Sequence, residues 1–516
     1  MPPGNGARTA AAQFFSRGYL YRYHLIDDNM KRIFLYGGVA LSLALANSCA
    51  RNPVTGKKQV VFTSEASEIQ QGAAADPEVV AQFGLYPDSA LQRYFREHGL
   101  ALAAQSHRPG LQWSYKILDS DVINAFATPG GYVYFTRGIM AYFNDEAQME
   151  GVLGHETGHV TARHSVIQQR NQILGQAGVL ATVIVNPNLG QVAQTASQGL
   201  GLLMLKFSRD DERQADELGV EYSTKMGYDA KHMAAFFQTL QRETQSHGGS
   251  TLPPFLSTHP DPGDRFVTVS QLAEQWQQKT GKTSGLLVNR DSYLRRIEGI
   301  TYGADPRQGF VEAGAFYHPD LKFQFPVPSG WQTQNTPAQF QMAPQDGSAL
   351  MVLTLAPGND LNTAATQQLQ KFGLESRESR SSTVNGNPAL IVVADQAAQA
   401  SQGGQTGAVT RTLNYFIQYG GAIYHLIGAT SSQNFATYQS TFTNVMEGFR
   451  QLTDPNKLNR KPERVRLRTV GSATTLRQAL TGFGVPQARL EELAILNGMQ
   501  LTDNLAAGTL IKTVGQ

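Results

Sequence analysis

Two histidines and a glutamate near the end of the first third of the chain have the spacing needed to bind a metal ion and activate water. Residues 151–161 read GVLGHETGHVT and contain His155, Glu156 and His159. In a helix, residues i and i+4 lie one turn apart on one face, so both imidazoles can reach a single Zn²⁺. Glu156 directly follows the first histidine and is placed to take a proton from the attacking water rather than to bind the metal. We therefore predict a zinc site with a general base beside it.

The flanking sequence favours a helix around this motif. Asn144 or Asp145 can cap its start. Apolar side chains with helical spacing follow at Ala147, Met149, Val152, Leu153 and Val160. The alternative is a chance combination of His and Glu on a surface helix. With 11 histidines in 516 residues, on the order of one chain in a hundred of this length contains the pattern by chance.

A second acidic motif downstream can complete the metal site. Residues 208–219 read SRDDERQADELG, which places Glu212 and Asp216 one helical turn apart. We predict Glu212 as the third zinc ligand, and Asp216 as the carboxylate that accepts a ring N–H from a ligand histidine. The alternative is a solvated charged face, because further charged residues surround the pair: Arg209, Asp210, Asp211 and Arg213.

Two other histidines suggest supporting roles. His164 lies five positions after His159, rotated off the ligand face of a continuous helix, so we interpret it as a structural or surface histidine. His259 lies in STHPDPGDR, residues 257–265, which reads as a loop. From there it can stabilise the oxyanion of a tetrahedral intermediate or occupy the fourth position of the zinc at rest. An ordinary loop histidine is the alternative.

A strand directly before the histidine helix can hold a substrate. Residues 124–140 read NAFATPGGYVYFTRGIM, and Pro129 to Gly131 turn the chain. The predicted strand comprises Tyr132, Val133, Tyr134 and Phe135. Beside a metal site, such a strand can pair backbone to backbone with an extended peptide. The alternative is an ordinary hairpin of the fold.

Length and composition set wider limits. A chain of 516 residues is too long for one ordinary core, so two to four domains are expected. A hydrophobic content of 41% and a charged content of 16% are typical of a folded protein with a polar, weakly charged surface. The formal net charge of +2 gives no electrostatic reason to expect nucleic acid as a partner.

The start of the sequence has the form of an export signal. Residues 30–32, Met-Lys-Arg, begin a basic region. Residues 33–46 form an apolar run, and Cys49 follows shortly after it. The apolar run is too short for a comfortable transmembrane helix, and a single cysteine excludes an internal disulfide framework. The pattern resembles a bacterial lipoprotein signal, which implies a lipid on Cys49, a membrane anchor and a periplasmic location at the outer membrane. An ordinary cleaved signal or a short anchor is the alternative, and residues 1–29 read as an upstream extension from a misplaced start codon.

Four motifs together resemble those of the Ste-type, HtpX-like and Oma-type zinc endopeptidases, gluzincins of the CAAX prenyl protease superfamily. They are HETGH, ERQAD from Glu212, NAFATPGG from Asn124 and THPDPGDR from Thr258. The resemblance covers about residues 50–300. Its first part, NPVTGKKQVVFTSEASEIQQG from Asn52, is similar to the soluble periplasmic branch. The family implies a mainly helical, zincin-type metallopeptidase domain.

The resemblance also implies a role for each matching residue. His155, His159 and Glu212 correspond to the ligands of one zinc ion per chain, and Glu156 to the general base. Three further residues have supporting roles in the family. Asp216 is implied as the carboxylate that orients a ligand, His259 as a substrate contact or a regulatory stopper near the metal, and Arg265 as a structural partner.

The rest of the chain differs in kind. Residues 315–452 alternate strand-like runs with two helical stretches and predict an α+β domain, for which the segment FQFPVPSGW weakly resembles the PsbP-like or Mog-like fold. Residues 463–516 predict the order strand, helix, helix, strand and resemble a LysM domain, a small βααβ module associated with N-acetylglucosamine polymers. Its usual Gly-Asp-Thr-Leu turn is replaced by GSATTL. A structural cap on the middle domain is the alternative.

These observations predict an α+β multidomain protein. Its expected parts are an upstream extension with a signal peptide, a metallopeptidase domain, a PsbP-like or Mog-like domain and a LysM-like domain, at residues 1–49, 50–300, 315–452 and 463–516. The expected activity is zinc-dependent hydrolysis of peptide bonds in unfolded or misassembled proteins of the bacterial cell envelope, a quality-control role. The alternative function is a peptidoglycan-associated lipoprotein that acts as a binding scaffold with a silent or regulatory metal site.

Overall fold

The computed structural model describes residues 49–60, 63–169, 207–246, 254–259, 262–396 and 409–516. The predicted basic and apolar parts of the signal lie outside these segments. Contacts divide the chain into two units, Met1–Ser64 and Glu65–Gln516. In the first unit, β1 (Cys49–Arg51) and β2 (Lys58–Val60) form an antiparallel hairpin. No helix in the described segments is both long enough and apolar enough to cross a membrane.

The first half of the second unit is mainly helical. Its helices are α1 (Glu65–Phe83), α2 (Ser89–Ala103), α3 (Arg137–Tyr142), α4 (Glu146–Thr161), α5 (Arg209–Lys225), α6 (Lys231–Ser246), α7 (Pro254–Thr258), α8 (Pro262–Thr280) and α9 (Arg290–Ile297). Helix α4 carries the HETGH motif, and all 16 of its residues are buried. It packs chiefly against α5 and also against α6. The helix that the metal-binding motif requires is therefore the central element of this half.

Side-chain caps explain where the two main helices begin. The backbone N–H of Gln148 donates to Asp145 Oδ1 at 2.8 Å, so Asp145 caps α4. Helix α5 begins with a capping box, in which the Ser208 hydroxyl accepts from the Asp211 N–H and the Asp211 carboxylate accepts from the Ser208 N–H. Both caps satisfy backbone donors that the first helical turn leaves unpaired.

A three-stranded sheet lies beside α4, and it corrects one prediction. Its strands are β3 (Ser114–Leu118), β4 (Ala125–Thr128) and β5 (Tyr132–Thr136), in the order β3-β5-β4. Strand β5 pairs in parallel with β3 and antiparallel with β4. The prediction that Tyr132, Val133, Tyr134 and Phe135 pair with a substrate is therefore wrong, because both backbone edges of this strand are occupied. Strand β4 is the edge strand that packs against α4.

The middle of the chain forms a seven-stranded antiparallel sheet in the order β10-β11-β12-β16-β15-β14-β13. The strands are β10 (Gln332–Asn335), β11 (Gln339–Ala343), β12 (Ala349–Ala356), β13 (Leu374–Val384), β14 (Asn387–Gln396), β15 (Thr410–Tyr419) and β16 (Ala422–Ser431). Helices α10 (Leu361–Lys371) and α11 (Phe435–Glu447) cover opposite faces. Tyr415 packs with Phe442 of α11, whereas the next residue, Phe416, packs with Leu369 of α10.

A smaller four-stranded sheet adds to the core on the α11 side. Its order is β17-β9-β8-β7. The strands are β7 (Phe310–Glu312), β8 (Ala315–His318), β9 (Phe323–Pro326) and β17 (Arg450–Gln451), and a single turn, α12 (Pro455–Leu458), follows.

The last part of the chain contains the predicted strand, helix, helix and strand, together with two additional strands of two residues each. These are β18 (Glu463–Thr469), β19 (Thr474–Thr475), α13 (Leu476–Gly482), α14 (Leu490–Leu496), β20 (Asn504–Leu505) and β21 (Leu510–Gly515). Strand β18 pairs with β21 and also with β6 (Thr301–Tyr302), which follows the helical half. The mixed α+β architecture, with a helical first half and sheets after it, is confirmed. The domain boundaries and the LysM-like identity stay predictions.

Candidate metal centre

Four buried side chains converge between α4, α5 and the end of α7. Helix α4 provides His155 and His159, α5 provides Glu212, and His259 directly follows α7. One nitrogen or oxygen atom of each lies within 4.8 Å of those of the other three. Residues separated by more than a hundred positions in the sequence therefore form one cluster.

The distances describe a compact cradle. His155 Nε2 and His159 Nε2 lie 3.0 Å apart. The Glu212 carboxylate lies 3.6 Å from His155 Nε2 and 3.4 Å from His159 Nε2. His259 Nδ1 lies 3.3 Å from His155 Nε2 and 3.0 Å from Glu212 Oε1. The side chains thus present nitrogen and oxygen atoms to one common point.

The hydrogen bond of His155 shows which of its nitrogens can bind a metal. His155 Nδ1 lies 2.9 Å from Asp216 Oδ1. An ionised carboxylate only accepts hydrogen bonds, so Nδ1 carries the proton and Nε2 presents its lone pair to the cradle. Burial lowers the pKa of His155 to about 3, so the ring is uncharged at neutral pH. An uncharged imidazole nitrogen in this position fits Zn²⁺.

The state of Glu212 agrees with a metal ligand. Burial opposes its ionisation, but the adjacent His259 and His159 hold the pKa of Glu212 well below its usual range. Its Oε2 atom is buried and accepts no hydrogen bond from a described residue, and the Arg265 guanidinium lies 3.4 Å from it. A buried anionic oxygen with a free lone pair, 3.6 Å from His155 Nε2, fits a divalent cation.

Glu156 lies next to the cradle in a different environment. Both of its carboxylate oxygens are buried, and neither accepts a hydrogen bond from a described residue. Burial raises the pKa of Glu156 to about 7. His259 Nε2 lies 3.6 Å from Glu156 Oε1. A carboxyl group with such a pKa can both take up and release a proton near neutral pH.

Arg265 of α8 holds Asp216 in place. Its guanidinium donates to both carboxylate oxygens, from Nε at 2.9 Å and from Nη2 at 2.6 Å. Burial opposes ionisation of Asp216, but Arg265 and His155 together lower its pKa. The guanidinium also lies 4.0 Å from the centre of the Phe237 ring. Asp216 is therefore an anchored anion beside His155.

Glycines allow α4 and α5 to approach closely enough to form the cradle. A Cβ atom on Gly219 of α5 would lie 3.0 Å from both the carbonyl oxygen of Gly151 and the backbone nitrogen of His155. A Cβ atom on Gly154 would lie 2.9 Å from the carbonyl oxygen of Gly219. The close helix approach at these glycines is not predicted from the sequence, although Gly154 lies one position from His155 and Gly219 three from Asp216.

His164 lies in the interior, which corrects the expectation that it could be a surface residue. Its Nδ1 lies 3.0 Å from His159 Nδ1, and its ring is fully buried. The helix ends at Thr161, and Arg163 has a left-handed backbone with φ of 62°. The helical rotation that directed His164 away from the site therefore does not apply.

The structure brings the predicted ligands and their neighbours to one point. His155, His159, Glu212 and His259 form the cradle, with Glu156 beside it. Asp216 and Arg265 lie directly behind His155. Only the predicted substrate strand lies elsewhere, in the interior of its sheet.

Comparison with known proteins finds a match between the part of the chain that carries this site and a peptidase family. Residues 89–273 match Peptidase family M48. Over 265 residues, the chain is 28% identical to the beta-barrel assembly-enhancing protease of Escherichia coli (strain K12), covering 50% of this chain and 53% of that protein. Over 184 residues, it is 30% identical to the mitochondrial metalloendopeptidase OMA1 of Arabidopsis thaliana, covering 36% of each chain. The matched region thus spans about half of the length of the bacterial relative.

These matches support two predictions, the endopeptidase activity and zinc as the metal. Peptidase family M48 and a relative named as a metalloendopeptidase support a zinc metalloendopeptidase, and zinc is the metal of this family. Among solved structures, that of cyanobacterial PsbP from Synechocystis sp. PCC 6803 is similar over 28% of this chain and 96% of that protein, at 12% identity and a TM-score of 0.21. A TM-score of 0.21 does not assign a fold, so the PsbP-like or Mog-like fold of residues 315–452 stays a prediction.

Proposed function

We propose, from the premise that residues 89–273 match Peptidase family M48, that the chain is a zinc-dependent endopeptidase. His155, His159 and Glu212 bind the zinc, and Glu156 is the general base. The observation that carries this proposal is the buried cradle, in which an imidazole lone pair and a carboxylate oxygen without a hydrogen-bond donor face one point.

Each residue of the site has a defined part in peptide hydrolysis. When bound, zinc supplies a Lewis acid that polarises the scissile carbonyl and lowers the pKa of water toward about 7. Glu156 takes the proton of the attacking water on a carboxylate oxygen and passes it to the leaving amine nitrogen. Its raised pKa, about 7 because of burial, suits both transfers near neutral pH.

His259 and Asp216 have supporting roles. His259 lies between Glu212 and Glu156, where its ring can stabilise the oxyanion of the tetrahedral intermediate or fill the fourth zinc position at rest. Asp216, anchored by Arg265, accepts a hydrogen bond from the Nδ1–H of His155 and so keeps the lone pair of Nε2 available for the metal.

The substrate would bind along β4 instead of β5. Strand β4 pairs with β5 on one side, and among the described residues no strand pairs with its other edge. It also packs against α4, which carries the histidines. An extended peptide added to this edge would run past the metal site. This mode of binding favours unfolded segments and loops as substrates, because a folded chain does not expose its backbone for pairing.

The cell envelope is the proposed place of action. The export signal before Cys49 and the similarity to a protease named for beta-barrel assembly support envelope proteins as substrates. A lipid on Cys49 would attach the chain to the outer membrane, and residues 463–516 would contact peptidoglycan. Incorporation of labelled palmitate that is lost in Cys49→Ala supports the anchor, and incorporation that persists in this variant contradicts it.

The activity is tested by replacing Glu156 with glutamine. Glu156→Gln keeps the shape of the side chain but cannot accept a proton, so we expect about one zinc per chain and no cleavage of casein. Glu217→Gln, at an exposed position of α5, is the control and should behave as wild type. A Glu156→Gln chain that cleaves casein at the wild-type rate contradicts the proposal.

The scaffold function is the second candidate, supported by the βααβ order of residues 463–516. Sedimentation of the full chain with purified peptidoglycan, alongside the casein assay, separates the two functions. Peptidoglycan binding without casein cleavage by the zinc-loaded wild type favours the scaffold, whereas cleavage that Glu156→Gln abolishes favours the endopeptidase.

A further inference from the structure

His164 uses both of its ring nitrogens inside the protein. Its Nδ1 lies 3.0 Å from Nδ1 of His159, the nitrogen that points away from the cradle. Its Nε2 lies 2.9 Å from the Oε1 atom of Gln214 and 3.7 Å from a carboxylate oxygen of Asp211. His159, His164 and Gln214 therefore form a chain of contacts from the metal cradle to the first turns of α5.

The acceptors at the end of this path determine where its protons lie. Neither the amide oxygen of Gln214 nor the carboxylate of Asp211 can donate, so Nε2 of His164 must carry a hydrogen. In an uncharged imidazole, the other nitrogen then accepts. His159 Nδ1 is consequently the donor in the contact with His164, and its Nε2 is left with a lone pair directed at the cradle.

We propose that His164 is a positioning residue for His159: its Nδ1 accepts a hydrogen bond from the Nδ1–H of His159 and so holds that ring in the tautomer and orientation that zinc binding requires. This inference rests on the proposed zinc site. The two ligand histidines then differ in their supports, since His155 donates to the anionic Asp216, whereas His159 donates to a neutral ring.

The backbone before His164 is shaped to deliver this ring. Arg163 has φ of 62°, a left-handed conformation that is uncommon for residues other than glycine. A buried ion cluster holds it there, because Glu68 accepts from Arg163 Nε at 2.9 Å and from Arg108 Nη1 at 2.7 Å. Arg108 also donates to the carbonyl oxygen of Val160 in the last turn of α4, at 3.1 Å. The cluster thus fixes the end of the helix and the reversal that turns His164 back toward His159.

Two substitutions separate positioning from simple packing. His164→Phe keeps an aromatic ring but removes the acceptor, and we expect zinc affinity, measured by chelator competition on the full chain, to fall about 10- to 100-fold. His164→Asn restores an oxygen near the position of Nδ1, and its affinity should stay within about threefold of wild type. His425→Phe is the matched control, since His425 is equally buried and bonded to Asn414 in the seven-stranded sheet.

The Co²⁺-substituted chain provides a readout that packing alone does not change. The visible absorption of bound Co²⁺ should change in His164→Phe and stay as in wild type in His164→Asn and His425→Phe. Zinc affinity and Co²⁺ absorption unchanged in His164→Phe would overturn the inference. A His164→Asn chain that folds but binds zinc about 10- to 100-fold more weakly would also overturn it, since this is the loss expected when a ligand-orienting group is removed. If His164→Phe does not fold, the result for His164→Asn decides between the two outcomes. A wild-type chain that binds no zinc overturns the proposed site itself, and is thereby distinguishable from a failure of this inference alone.

Discussion

At the scale of single residues, two buried glutamates of the site differ in pKa because their neighbours differ. Glu212 lies among histidines that lower its pKa, so it stays an anion suited to a cation. Glu156 has no donor within the described structure, and burial raises its pKa to about 7. The same type of side chain is thus suited to binding a cation in one place and to carrying a proton in the other. The sequence predicts both roles from spacing and family resemblance, but the pKa values depend on burial that only the fold creates.

His232 provides a residue-scale prediction about pH. It lies 2.6 Å from Asp145, the cap of α4, and this hydrogen bond raises the pKa of His232. A raised pKa in the folded state means that the stabilisation is complete below the unfolded value of about 6.5 and is lost as the pH rises through the folded value. In urea unfolding, His232→Gln should cost about 0.5–1 kcal/mol at pH 6, and this difference should shrink at pH 8.5. A cost that is equal at the two pH values contradicts the prediction.

At the scale of elements, the site depends on how α4 and α5 meet. The sequence predicts both helices around the metal motifs, and for α4 the cap at Asp145 and the apolar spacing are local signals. The capping box of α5 at Ser208 is seen only in the structure. It does not predict the order of strands, since pairing depends on contacts distant in sequence, and β5 proved to be an interior strand. Nor does it predict the surroundings of His164, because the left-handed Arg163 interrupts the helical spacing on which the interpretation was based.

The helix contact predicts the effect of one added methyl group. Gly219→Ala places Cβ 3.0 Å from the backbone of His155, which forces α4 and α5 apart. We expect a loss of about 1–3 kcal/mol in the free energy of unfolding and weaker zinc binding, because Glu212 and His155 move apart with their helices. Gly482→Ala is the control, since its Cβ meets no atom within 4 Å. Urea unfolding and chelator competition measure both effects, and a Gly219→Ala chain equal to the control in both would show that the close contact is dispensable.

At the scale of the whole molecule, the last part of the chain is bound to the helical half. Lys512 of β21 is fully buried and donates to the carbonyl oxygens of Ala141 at 2.8 Å and Phe143 at 3.0 Å, just before the cap of α4. Arg242 of α6 donates to the carbonyl oxygen of Met499. The sequence predicts the order of elements in residues 463–516, but not these contacts, because a lysine on an amphipathic strand reads as exposed.

These contacts predict that Lys512 stabilises the metal-binding half. Lys512→Met keeps most of the side-chain volume but leaves the two carbonyl oxygens without their donor. We expect a loss of about 2–3 kcal/mol in the free energy of unfolding, measured with urea on the full chain. Lys461→Met, at an exposed position, should have no effect beyond about 0.5 kcal/mol. Equal stability of the two variants would show that the buried amine does not connect these parts energetically.

The most direct test of the account is the zinc content of chains altered at position 212. In the proposed site, Glu212 is the third ligand and lies on a helix about fifty positions beyond the two histidines, so the site exists only if the fold brings it to them. By elemental analysis after dialysis, wild type and Glu217→Gln should each contain about one zinc per chain, and Glu212→Gln far less. A Glu212→Gln chain that retains as much zinc as wild type would contradict the proposed ligand set and the mechanism built on it.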